Sequence, residues 1–223
     1  RDHYLFYMQA DQTLKQIAKL SLIYLFILLL LALFFYKERM LFLDAPWIVF
    51  HIINTKSFCI QEHRYGSFIT QLFPLIGVKL KLSINSILLL YSASFNLLYL
   101  AIGFILLRMK QYKLLILETL YFSLILSSSF YWTNNELHQG MAWLFLLFGF
   151  VFYAEAQLFN SVFKYLGFII LAFLSLFTHP LILLVCGFLW VYFLLNSFDK
   201  KIENKTQILY TCLLVSLAII KFY

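Results

Sequence analysis

The sequence predicts an all-α polytopic membrane protein. It reads as a bundle of about seven transmembrane helices, with two further helices lying in the membrane interface of the first outer loop. Three observations predict this fold class. Of 223 residues, 63% are hydrophobic and only 12% charged, against roughly 45–50% and about 25% in soluble domains. Mean hydropathy is +0.87, and several apolar runs reach about 17–20 residues, enough to cross a hydrocarbon core ~30 Å thick. No stretch alternates as a membrane β-strand would, and open strands in lipid leave backbone groups unpaired.

Residues 1–16 are mixed and polar, with Lys15 at the membrane edge. The first span covers 17–36. It is too long for a signal-peptide core and has no small-residue cleavage site, so it is expected to be retained. Residues 37–83 form the one long connection, an outer-face segment. Its apolar runs "LFLDAPWIVFHIINT" and "GSFITQLFPLIGVKL" are too short to span and suit interfacial helices. Further spans are expected at 84–107, 114–130, 139–155, 162–178, 181–198 and 207–223. Residues 1–223 read as a single transmembrane domain without repeats or linkers. The chain begins without Met and ends inside an apolar run, so it is expected to be a fragment of a longer protein.

The net charge of +7 is not a nucleic-acid signal here, because the basic residues sit mostly in short loops between apolar runs. With the N-terminus in the cytoplasm, the inner segments hold ten Lys or Arg and the outer segments six, all six within 37–83. The positive-inside rule favours that orientation. The expected location is the cell membrane, with the long segment facing the periplasm or exterior. Cys59, Cys186 and Cys212 lack metal-ligand spacing and read as small apolar residues. The Asn204–Thr206 sequon falls in a loop assigned to the cytoplasm and is discounted.

Under this topology the outer side collects the chemically versatile residues. Asp44, Trp47 and His51 share one helical face. Asp44 suits either a helix cap ahead of Pro46 or a site role. Glu62, His63 and Arg64 suit either a solvated turn or an anionic-headgroup site, with Arg64 on a phosphate and Glu62 or His63 handling a proton or a metal. "NNELHQG" supplies Asn134, Asn135, Glu136, His138 and Gln139, and suits either a turn or a site wall. His179, in "FTHPL", is a further candidate beside a re-entry turn at Pro180. Glu118, near the inner end of the third span, is expected to snorkel or to pair with Lys110 or Lys113. The spans otherwise lack central charges, which argues against an ion-coupled transporter.

This layout resembles the GT-C class of integral-membrane glycosyltransferases, which take sugars from polyprenyl-phosphate carriers. The features that carry the resemblance are span one, the long outer segment with amphipathic helices, an early acidic residue in "FLDAPW", and short loops between the remaining spans. It is closest over 17–140, and in wording most similar to bacterial multi-pass membrane proteins of this type. The resemblance implies a catalytic base or metal-site role for Asp44. Many members carry adjacent acidic residues; this chain does not, so Glu62 would be the second carboxylate. His51, His63, Arg64, Asn135, Glu136, His138 and His179 would bind substrate, with a divalent metal (Mg or Mn) as a possible cofactor held by Asp44 with Glu62 or His63. The implied partners are membrane lipid and a polyprenyl-phosphate-linked sugar. The alternative is a transporter, flippase or glycolipid-binding subunit without chemistry.

Overall fold

The computed structural model describes residues 2–42, 44–125, 130–156, 161–198 and 204–222. All regular structure among them is helical. Helix α1, Asp2–Phe34, is unbroken because no Gly or Pro occurs before Pro46. A single turn, α2 (Tyr36–Arg39), leads to α3 (Ala45–Thr55), which starts with Pro46 in its first turn and ends on Lys56 in the left-handed conformation. A 3₁₀ turn at Tyr65–Ser67 enters α4 (Phe68–Lys79). Ser83 caps α5 (Ile84–Arg108) by accepting a hydrogen bond from the Ser86 N–H at 3.2 Å. Then come α6 (Tyr112–Leu120), a π-helical turn at Tyr121–Ile125, and a 3₁₀ turn at Phe130–Trp132. Four helices complete the described chain: α7 (Glu136–Ala156), α8 (Ser161–Leu176), α9 (Ile182–Phe198) and α10 (Asn204–Phe222).

Among the described residues, three helices are long and apolar enough to cross a membrane: Asp11–Phe34, Ile84–Arg108 and Glu136–Ala154. Three shorter apolar helices, Val162–Leu176, Ile182–Leu195 and Ile208–Lys221, occupy the expected fifth to seventh spans. The expected third span differs most. Its helix α6 gives way to the π turn at Tyr121, and 126–129 lie outside the described residues. The expected first span is part of the longer α1. Many large apolar side chains face outward, Phe34 (77%), Leu184 and Phe188 (both 73%) among them. That is the surface a lipid-embedded bundle presents and a water-soluble one avoids.

Two apolar cores hold the helices together. One unites Leu25, Ile52, Phe95, Ile102, Leu106 and Leu115 from α1, α3, α5 and α6. The other unites Leu147, Phe168, Leu189, Phe193, Tyr210 and Leu214 from α7 to α10. Helix α7 joins them, since Trp143 and Leu146 enter the first core while Leu144 and Leu147 enter the second.

One end of the bundle gathers several contacts between segments distant in sequence. Arg39 reaches the Phe130 carbonyl, Arg64 reaches Glu136, and the Gly66 N–H donates to the Phe177 carbonyl. Lys221, near the end of α10, donates to the Leu176 carbonyl. The segment 36–83, the 130–138 turn, the α8–α9 turn and the C-terminal end of α10 therefore share that end.

Glu118 corrects a sequence-based expectation. It neither snorkels nor pairs: the side chain is fully buried, both carboxylate oxygens lack hydrogen-bond partners, and Lys110 and Lys113 are exposed. The cause is helix rotation. At its position in α6 Glu118 shares the buried face with Leu115 and Phe122 rather than the surface stripe of Lys113 and Leu117.

Candidate functional site at one end of the bundle

A cleft of about 200 Å³ opens at this end, lined by Asp44, Arg64, Asn135, Glu136, Leu137, His179 and Leu181. Three chain regions far apart in sequence contribute to it.

Asp44 stands at the cap position of α3, yet its carboxylate makes no capping hydrogen bond and is exposed. Only its carbonyl is engaged, accepting from the Ile48 N–H at 2.9 Å. The side chain lines the cleft without a hydrogen bond or ion pair among the described residues.

Arg64 is the charged centre. Its Nη1 donates to Glu136 Oε2 at 2.8 Å and its Nη2 to Glu62 Oε2 at 2.9 Å. The two partners differ sharply: Glu136 is 11% exposed and Glu62 72%. Burial lowers the Arg64 pKa, but the two carboxylates more than offset it and the net shift is upward. The guanidinium is therefore charged at any physiological pH. The chain enters Arg64 through a strained turn, Glu62 and His63 having φ of 44° and 58° in the left-handed region that residues other than Gly rarely adopt.

Asn135 does two things at once. Its Oδ1 accepts from the His138 N–H at 3.1 Å, capping α7, and it lines the cleft. Glu136 occupies the first turn of α7, where a carboxylate is favoured by the helix dipole. His179 Nδ1 accepts from the Leu181 N–H at 3.2 Å, which places the ring proton on Nε2. Burial lowers the His179 pKa, Arg64 and Lys221 push it the same way, and Asp44 and Glu62 oppose them less strongly, so the net shift favours the neutral ring.

The structure does not bring every candidate into the cleft. His51 stacks on Trp47 with ring centroids 5.5 Å apart. His63 is exposed and bonds the Tyr65 hydroxyl at 3.1 Å. His138 Nδ1 pairs with the Tyr121 hydroxyl at 2.7 Å. Glu62 joins only through Arg64. Among the described residues no group of three His, Cys, Asp or Glu side chains is placed to hold a metal ion. Of the residues expected to hold a divalent metal, Glu62 is paired with Arg64 and His63 with the Tyr65 hydroxyl, which leaves Asp44 alone as a ligand and does not fit a metal site.

Several polar residues outside the candidate site set hold the cleft in place; of these, Gln139 stands in the polar stretch 134–139, and Gln71 and Arg39 have no role readable from the sequence. Gln71 accepts from the Cys59 N–H at 2.8 Å and donates to the Cys59 carbonyl at 3.0 Å, fixing the chain that leads to Glu62. Gln139 donates to the Gly66 carbonyl and accepts from Thr70 Oγ1, both at 2.9 Å, tying α7 to the start of α4. Arg39, which reads as a solvated loop charge, is fully buried. It donates to the Phe130 carbonyl at 3.1 Å and to Asn96 Oδ1 at 2.9 Å, and lies over the Phe130 ring. Burial pulls its pKa down to about 10, still well above neutrality. The only available signal was an amide or cation beside an apolar run, which does not distinguish a buried role from a solvated one.

No protein-family model, curated protein or solved structure matches the chain.

Proposed function

We propose that the chain is a membrane glycosyltransferase that moves a sugar from a polyprenyl-phosphate donor at the outer face of the cell membrane, on a bundle of about seven spans with a cytoplasmic N-terminus. One observation carries this reading: an uncommitted carboxylate, Asp44, shares a cleft with a fixed guanidinium, Arg64, and a neutral imidazole, His179. That set provides a base, a phosphate-binding cation and a hydrogen-bond donor together.

In the proposed reaction Asp44 takes the proton of an acceptor hydroxyl as its oxygen bonds to the anomeric carbon. The bond from that carbon to the phosphate oxygen breaks, and the phosphate leaves with the electron pair. Arg64 stabilises the added negative charge, with Nη2 exchanging its exposed Glu62 partner for a phosphate oxygen. Glu136, buried, keeps Nη1 in register throughout. His179 Nε2–H is the second donor to the leaving group.

The test is sugar transfer from polyprenyl-phosphate donors by the full-length protein in membranes. Asp44→Asn is expected to lower transfer by about 10²-fold or more, as loss of a general base does. Transfer that Asp44→Asn leaves untouched overturns the base assignment. The second reading, a glycolipid-binding subunit without chemistry, draws on the pairing of Glu62 and Glu136 with Arg64, which leaves Asp44 the one free carboxylate among the residues lining the cleft. It is favoured if the wild-type protein binds donor and transfers nothing.

A further inference from the structure

Leu137 and Leu181 line the polar cleft, and each heads an apolar stripe. On α7 the stripe continues through Met141, Leu144, Phe145 and Phe148; on α9 it continues through Val185 and Phe188. Apart from the adjacent Leu144 and Phe145, these are steps of three and four residues, one face of each helix. Together they line a second groove of about 210 Å³ with apolar side chains only. From 137 to 148 the α7 stripe rises about 16 Å at 1.5 Å per residue, roughly half of a ~30 Å hydrocarbon core. Phe188 is 73% exposed, so the groove opens sideways from the bundle, the direction from which a lipid arrives.

We propose that this α7–α9 groove holds the hydrocarbon chain of a lipid phosphate whose head occupies the cleft. The inference rests on the lipid-phosphate reading of the cleft and names where the rest of that molecule lies. A small soluble anion would use the cleft alone, and a neutral hydrocarbon the groove alone. The cleft, which holds Arg64, and the wholly apolar groove both reach the start of α7 and of α9, the cleft at Leu137 and Leu181 and the groove one turn on, from Met141 and Val185, an arrangement that suits one amphiphile with an anionic end. The position that joins them is the first turn of α7, where Glu136 holds Arg64 and Leu137 begins the stripe. Behind the groove Gly140 lets Ile182 pack close: a Cβ there would come within 2.6 Å of Ile182 Cγ1. The two helices are thus held together beside the groove they line.

The experiment uses the full-length protein in phospholipid vesicles and a polyprenyl monophosphate carrying a photoreactive group on its chain. Labelled peptides are mapped by mass spectrometry. Label is expected within 141–148 and 185–188, displaced by excess polyprenyl monophosphate, much less by neutral polyprenol, and not by inorganic phosphate. Val185→Trp fills the groove away from the cleft and is expected to lower labelling about tenfold. Val185→Phe, a milder filling, serves if the tryptophan variant does not fold; melting in detergent decides that. Label spread evenly over the outer helix surfaces, labelling indifferent to both variants, or equal competition by polyprenol overturns the proposal. Asp44→Asn is expected to keep the label, which separates the two readings. Groove labelling without sugar transfer removes the catalytic reading and leaves the groove; transfer with label elsewhere does the reverse.

Discussion

Glu62 and Glu136 hold one guanidinium from opposite environments, and that difference sets what each is worth. Glu136 is mostly buried, so removing its cation leaves a charge without a partner in a poorly solvated site. Arg64→Ala is expected to destabilise by roughly 3 kcal/mol, the range for one partner lost from a buried pair. Glu62→Gln, at the exposed end of the same guanidinium, is expected to change stability by less than about 0.5 kcal/mol. Thermal melting of both variants in detergent checks the contrast; equal effects would mean that Glu136 is solvated. At this scale the sequence was partly readable. Asp44, Arg64, Asn135, Glu136 and His179 stood out as polar residues in an apolar chain, and the cleft collects them. His51, His63 and His138 stood out for the same reason, and each partners a nearby aromatic residue instead. Residue type signals capacity for chemistry; it carries no information about direction.

Among elements, the 3₁₀ turn at Tyr65–Ser67 does the positioning. Its Gly66 donates to the Phe177 carbonyl at 2.8 Å, and a Cβ at Gly66 would come within 2.5 Å of the Leu174 carbonyl oxygen. That neighbour is backbone at the end of α8 and cannot rotate away. Gly66→Ala is expected to cost about 1–3 kcal/mol, as overpacking does, and to move Arg64 off Glu136. The paired readout is the melting temperature together with donor binding: an unchanged melting temperature would show that the α8 contact is not tight. Helices α3 and α4 were legible as apolar runs too short to span, and both form close to the expected bounds. The π turn after α6 was not legible, because it depends on how α6 packs rather than on a local residue signal. Glu118 shows the same limit. A carboxylate five and eight residues from two lysines suggests pairing, and only the rotation of α6 decides that it faces the core.

For the whole molecule, the central expectation is that the cleft and the α5–α6 turn lie on opposite sides of a membrane. Cysteine labelling tests it directly. Cys59 and Cys186 are buried, and Cys212 is exposed and is replaced by Ser. On that background Ser57→Cys is expected to react with an impermeant maleimide from outside intact cells, and Lys113→Cys only after permeabilisation; both native side chains are exposed. Labelling of both from the same side would overturn the proposed topology. The sequence by itself determined that the chain is helical and membrane-like, and which segments hold its versatile polar residues. Those properties follow from hydropathy and helix length, which add up locally along the chain. Only the tertiary structure decided which of those residues meet. Arg64 and Glu136 are 72 positions apart, and their contact depends on how α3, α4, α7 and α8 rotate and pack. The same packing buries Arg39, strands Glu118 in the core and aligns the α7 and α9 stripes beneath the cleft, because side-chain direction is set by contacts between segments distant in sequence.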